Sequence, residues 1–268
     1  MIGPAPAKIN LALVVGPQRP DGNHELVTVY QRVDLGDRIR IEPAAGDTRI
    51  SGYPEDTIVR DALLLLDAQR GWHVHIEKHI PVAAGLGGGS SDAATALRLA
   101  NDQLPEPLPG ERLADLAFAV GTDVPFFLHD GPQLGTGDGA TLTPLDLPQD
   151  FAVLLLLPRD VHKVSTAAVY ADFDARVGAD GFDDRAESLR DALAAVRRPR
   201  DLAGLPPNDL ASSPLAAELR AHGAFRADVS GAGPVLYGLF NRTADAQRAA
   251  RAIGHLGRIW ITVPAWYG

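Results

Sequence analysis

Four glycines fall within the five positions 85–89 of the stretch PVAAGLGGGSSDAA (residues 81–94), and two serines follow directly. Backbone without side chains can turn several N–H groups inward around one anion. A helix that begins at the end of such a run adds unpaired donors and the positive end of its dipole. That is chemistry for a phosphate. Two familiar phosphate loops do not fit. A Walker A loop closes on a Lys-Ser/Thr pair where this one has Ser90-Ser91, and a dinucleotide fingerprint needs a third glycine where Ser90 stands and a place in a first β-α-β unit. A plain strand-to-helix connection needs one or two glycines, and each further one costs backbone entropy on folding. The run therefore reads as a phosphate loop of a third kind.

Asp123, in GTDVPFF (residues 121–127), is a second group able to do chemistry. A carboxylate just past a helix end can take a proton from a hydroxyl, or it can bond its own backbone as a turn residue; the fragment alone supports both. Lysine is scarce, with Lys8, Lys78 and Lys163 the only three among 25 basic residues, so each stands out. His73, His75, Glu77 and His79 alternate along one face of a predicted strand. Side chains two apart on a strand are too far separated to surround one ion easily, and the chain has no cysteine to complete a site. They read as a solvated sheet face.

The elements that must carry these residues mix strands and helices without a regular β-α alternation. Residues 7–15 (AKINLALVV) alternate weakly and read as a strand, and residues 27–43 as one or two more, with Gly36-Asp37 as a turn. Residues 56–69 have helical spacing closed by Gly71, and residues 72–80 alternate cleanly. After the glycine run, a helix with Ser90, Ser91 or Asp92 as N-cap is expected, then a second helix over 111–120 ended by Gly121. Residues 122–128 are expected to run into an apolar strand. A boundary falls in the proline- and acid-rich stretch 144–150. Beyond it come a buried strand (151–158), helices over 187–198, 212–223 and 243–257, and strands over 233–240 and 259–263; Ser213 and Thr243 are the expected caps. Strands grouped ahead of helices suggest an α+β fold in two lobes.

Composition narrows the function classes. A chain of 268 residues, 46% hydrophobic and 22% charged, can bury a substantial core. Apolar runs such as ALLLL and FAVLLLL are far shorter than a membrane span, and residues 1–15 lack a signal-peptide pattern, so a soluble, cytoplasmic protein is expected. A formal net charge of -9 argues against nucleic-acid or anionic-membrane partners; an anionic ligand has to be held by local groups.

PAKINLAL (residues 6–13), RPDGNHEL (19–26), the double-serine glycine loop, GTDVPFFL (121–128), VSTAAVY (164–170), PNDL (207–210) and SGAGPVLYGLF (230–240) stand in one order along the chain. Together they resemble the GHMP kinases, small-molecule kinases of galactose, homoserine, mevalonate and related acceptors, and most closely the branch whose acceptor carries a cytidine diphosphate. The resemblance implies an α+β, two-lobed fold with ATP and acceptor in the cleft between lobes. Residues 1–146 would form the N-terminal ATP-binding domain and 147–268 the C-terminal domain. The reaction implied is transfer of the ATP γ-phosphoryl to an acceptor hydroxyl, in isoprenoid precursor synthesis. The ATP phosphates would lie at Pro81, Val82, Ala83, Ala84, Gly85, Leu86, Gly87, Gly88, Gly89, Ser90 and Ser91. Mg²⁺ is expected with ATP, held largely by phosphates and water, with Ser90 or Ser91 in reach and other metal ligands unassigned. By the same resemblance Asp123 is the base that also meets the acceptor, and Lys8 polarises the attacked hydroxyl. Asn10, two residues on from Lys8, would share its strand face and orient the acceptor. His24 would read the cytosine edge and Tyr170 stack on the base; Asn23 stands where the family commonly has an aromatic. Gly231 and Gly233 would let a second loop approach the phosphates or the glycine loop. The partner implied is a small molecule, the oligomeric state being monomer or homodimer. The alternatives are a family kinase of homoserine or mevalonate type, or a non-catalytic nucleotide-binding sensor; Lys8 and Asp123 oppose the sensor, which needs neither.

Overall fold

Two long strands, β1 (Ile2–Gln18) and β2 (His24–Ala44), form the spine of the computed structural model, which describes residues 1–159, 161 and 165–265. Lys163 and Val164, the first residue of VSTAAVY, lie outside the described residues. β1 is buried on both faces for most of its length, which explains its weak alternation: a strand covered on both sides has no polar face to display. It pairs antiparallel with one edge of β2. The other edge of β2 takes β4 (Gly71–Glu77) at residues 38–44 and β5 (Gln133–Gly137) at residues 26–30. β3 (Arg49–Ser51) joins β4 in parallel, and β6 (Thr141–Pro144) joins β5, completing a six-stranded sheet.

Gly36-Asp37 is not a turn. β2 continues through it, and the ladder with β1 shifts so that Pro6 faces Gly36 while Ala7 faces Val33. Because β1 runs beside both halves, the irregularity is absorbed as a bulge instead of reversing the chain. β4 sends Trp72, Val74 and Ile76 into the core and turns His73, His75 and Glu77 outward.

α2 (Gly88–Asn101) lies on the inner face of this sheet, with α1 (Ile58–Leu66) and α3 (Gly110–Val120) packed against it. Ala96, Leu99 and Ala100 of α2 pack on Ile39, Ile41 and Trp72, and Ala93 and Leu97 on Phe126 and Ala117. Residues 125–128, expected as a strand, instead make a short 3₁₀ turn, Pro125–Leu128, anchored by buried Phe126 and Phe127. An apolar run this short has the same hydrophobicity in either conformation.

The second sheet is antiparallel, ordered β10–β7–β9–β8, from β7 (Ala152–Pro158), β8 (Arg226–Val229), β9 (Leu236–Phe240) and β10 (Gly257–Thr262). Alternate residues of β7 serve two cores. Val153 and Leu155 join Ile9, Leu11, Val29 and Leu189 of α5 (Phe182–Ala195), whereas Leu154 and Leu156 pack under α6 (Leu215–Ala221) and α7 (Thr243–Ile253). The run is continuously apolar because both faces are covered. α4 (Thr166–Ala175) stands beside the end of β1, through Phe173 against Leu13 and Val15. At α6 Pro214 has helical dihedrals and the N–H of Leu215 donates to Ser213 Oγ at 3.3 Å, the cap expected, whereas α7 begins at Thr243 with Arg242 before it and no side-chain cap. The sheets divide near residues 145–151, but one apolar cluster runs through both. The result is the α+β, two-lobed architecture expected. Among the described residues, no helix is long and apolar enough to cross a membrane.

Candidate active site

A cleft of about 890 Å³ runs between the lobes, and the glycine loop forms one wall. α2 begins at Gly88, with Gly87 as its N-cap at φ +70° and no side-chain cap. Its first intrahelical bond is from the N–H of Ser91 to Gly87 O. The N–H groups of Gly88, Gly89 and Ser90 therefore carry no helical partner and sit at the positive end of the helix. A serine or aspartate cap at position 87 would have taken one of these donors. Instead of Ser90, Ser91 or Asp92, a glycine caps the helix and leaves them available. Ser90 lines the cleft, but Ser91 is fully buried inside α2 and does not.

Glycine is required at two points by contact as well as by φ. A Cβ on Gly87 would stand 2.9 Å from the Phe127 ring and 3.1 Å from Lys8 Cγ, and one on Gly85 (φ +82°) would stand 2.3 Å from Ser230 O. The second loop thus locks onto the first. Ser230 Oγ donates to Gly85 O at 3.0 Å and Val235 N to Ala84 O at 3.2 Å. Gly231 and Gly233 both adopt positive φ there.

Lys8 is 5% exposed, and its backbone N–H donates to Leu86 O at 2.9 Å, which fixes β1 to the glycine loop. Its Nζ donates to Asn10 Oδ1 at 2.7 Å and lies 3.7 Å from Asp123 Oδ2. Asn10 Nδ2 donates in turn to Thr28 Oγ1 at 2.8 Å, and Thr28 to Ala12 O. Both ends of the Asn10 amide are thus engaged by protein, and what it orients directly is Lys8. Asp123 follows the end of α3, and its side chain is 38% exposed. Its Oδ1 accepts from Tyr30 Oη at 3.1 Å. Among the described residues, no backbone N–H of its own turn bonds it.

At the other end of the cleft His24, buried, stacks on Tyr170 with centroids 4.7 Å apart, and Nε2 lies 2.9 Å from Asp174 Oδ1. Burial first and the Asp123 charge second push the Tyr170 hydroxyl up to about 12, so it stays neutral. Asn23 is exposed on the cleft wall and offers no ring there. Lys8, Asn10, Asp123, His24, Tyr170 and the loop residues other than Ser91 are brought together in one cleft; Ser91 is the exception.

Sequence reasoning missed a buried charge cluster under the loop. Lys78 Nζ donates to Asp37 Oδ2 at 2.6 Å and to Asp92 Oδ2 at 2.7 Å, and Asp37 Oδ1 accepts from the N–H of Ile80 at 2.8 Å. Burial first, then the charge of Asp37 against the opposing pull of Lys78, pushes Asp92 up to about 8. Burial lowers Lys78, but Asp92 and Asp37 outweigh it and leave it raised. The scarcity of lysine was the one signal pointing here. Tyr30 carried none.

The families described as "GHMP kinases N terminal domain" and "GHMP kinases C terminal" match residues 56–131 and 210–258. With relatives that span most of its length, the chain belongs to the GHMP kinase family. Those relatives include the 4-diphosphocytidyl-2-C-methyl-D-erythritol kinase of Kineococcus radiotolerans, 37% identical over 92% of this chain and 83% of that one. The enzyme of the same name from Desulfitobacterium hafniense is 36% identical over 96% and 93%. A crystal structure of 4-(cytidine 5'-diphospho)-2C-methyl-D-erythritol kinase superposes with TM-score 0.79 and 32% identity over 99% of this chain and all of that one. The mevalonate kinase of Methanococcus jannaschii, at 13% identity and TM-score 0.78 over 99% and 98%, shares the fold alone.

Proposed function

We propose that this chain transfers the γ-phosphoryl of ATP to the 2-hydroxyl of 4-diphosphocytidyl-2-C-methyl-D-erythritol. The observation that carries the reading is the position of the Lys8–Asp123 pair. It is tied to the glycine loop through Lys8 N–H and Leu86 O, in a cleft whose far end holds the stacked His24 and Tyr170. The relatives' shared activity supports the choice of acceptor.

In this reading the free N–H groups of Gly88, Gly89 and Ser90 hold phosphate oxygens. Asp123 takes the proton of the acceptor hydroxyl as its oxygen bonds to the γ-phosphorus and the bond to the β-phosphate oxygen breaks, releasing ADP. The Lys8 ammonium steadies the developing negative charge. His24 and Tyr170 hold the cytosine. Mg²⁺ fits this donor set: among the described residues no group of three His, Asp or Glu side chains could cage a metal, and Mg²⁺ bound with a nucleotide draws mostly on phosphate and water. Ser90 is the loop hydroxyl facing the cleft that would reach it, and the ion would neutralise phosphate charge. Residues 1–146 act as the ATP-binding lobe and 147–268 as the second, in a soluble cytoplasmic enzyme. ADP release with ATP and Mg²⁺, compared across the cytidyl acceptor, homoserine and mevalonate, tests the reading. Turnover with the cytidyl acceptor alone is expected; turnover with another acceptor only, or ATP binding without turnover, overturns it.

A further inference from the structure

The end of β5 and the turn that follows it read GTGDG (residues 135–139), a glycine-rich stretch that the phosphate-loop reading leaves unused. It is shaped around Tyr30. A Cβ on Gly135 would stand 2.6 Å from Tyr30 Cε2, and one on Gly139 would stand 2.7 Å from Tyr30 Oη. On another side the ring lies against Phe126, centroids 4.8 Å apart. Tyr30 is 2% exposed, so its hydroxyl needs a partner, and that partner is Asp123 Oδ1 at 3.1 Å. For Asp123 the bond matters more. Its side chain is 38% exposed and its contact with Lys8 is 3.7 Å, an ion pair longer than a hydrogen bond. Tyr30 supplies the one hydrogen bond to this carboxylate among the described residues.

We propose that Tyr30 is a positioning residue for Asp123: its hydroxyl, seated by Gly135 and Gly139, holds Oδ1 and turns Oδ2 toward the acceptor hydroxyl. This rests on the reading of Asp123 as the base. Lys8 from β1, Asp138 from the turn and Tyr170 from α4 are the other charged or titratable groups facing the pair. None is altered by removing the Tyr30 hydroxyl. Burial first and then the Asp123 charge raise Tyr30 well above the ordinary tyrosine value, so it remains a donor throughout an assay range.

A charge-assisted hydrogen bond fixes the orientation of the carboxylate that accepts it. Tyr30→Phe is therefore expected to lower kcat about tenfold with the KM for ATP within about twofold. Gly139→Ala, whose Cβ would stand 2.7 Å from the hydroxyl at a backbone φ of +97°, should also lower kcat, and should lower it by less in a Tyr30→Phe background, where the next atom is 3.5 Å away. Asp123→Asn is run beside them. If it is inactive while the kcat of Tyr30→Phe stays within about twofold of the parent, the Tyr30 assignment falls and the base reading stands. If Asp123→Asn turns over, the base reading itself falls.

Discussion

Gly85→Ala tests whether the two loops act as one phosphate-binding unit. The added Cβ would meet Ser230 O at 2.3 Å and Gly233 O and N at 3.1 and 3.2 Å. All three are backbone atoms, so no side-chain rotation relieves the contact, and the loops must separate. Parting them weakens the bonds from Ser230 Oγ to Gly85 O and from Val235 N to Ala84 O, each worth about 1 kcal/mol net. Holding alanine at φ +82° costs about 1–2 kcal/mol more. The sum is about 3 kcal/mol, which at about 2–4 °C per kcal/mol for a chain of this size lowers Tm by about 6–12 °C. Displacing even one N–H from a phosphate oxygen costs a charge-assisted bond, so the KM for ATP should rise at least about tenfold. Calorimetry and ATP titration of the rate measure the two effects. Gly110→Ala is the control: it opens α3 with nothing within 4 Å of the added atom and should leave the KM for ATP unchanged and the Tm at or slightly above the parent's. A Gly85→Ala protein with the parent Tm and the parent KM for ATP would refute the interlocked-loop argument.

Asp92, pushed up to about 8 from 3.8, keeps its proton in the folded chain over a range where the unfolded chain has lost it. Its contribution to stability is fully present below about pH 4 and is lost as pH rises through about 8. Asp92→Asn should flatten the fall in Tm between pH 5 and 8, and parallel Tm curves for the two proteins would count against the burial argument. Tyr170→Ala removes the ring stacked on His24 and should raise the KM for the cytidyl acceptor by about tenfold with little change for ATP; equal effects on both would remove the stacking role.

The parts of the site that could be read from sequence were those whose residue types are unusual in their local setting. A glycine run is costly unless backbone donors are needed, and the loop at 85–89 borders the cleft. The start of α2 was misjudged for the same physical reason: capping rules look for a side-chain oxygen, whereas this helix begins on glycine and leaves its donors free. Gly36-Asp37 reads as a turn only until β1 is seen to run past it. Tyr30 sits inside a strand with no local oddity, and Asp37 showed only as half of a turn signal, so neither role was legible. Tyr30 meets Asp123 across 93 positions and Asp37 meets Lys78 across 41, pairings set by strand register and helix packing. Lys78 was noticed for its rarity, but its two buried partners needed the fold.

The most direct measurement is ADP release by Asp123→Asn with ATP, Mg²⁺ and the cytidyl acceptor, alongside calorimetric ATP binding. The side chain keeps its shape and can still meet Tyr30, but it can no longer take a proton. The account predicts ATP affinity within about twofold of the parent and a loss of turnover of at least about a hundredfold. Turnover near the parent rate would contradict it.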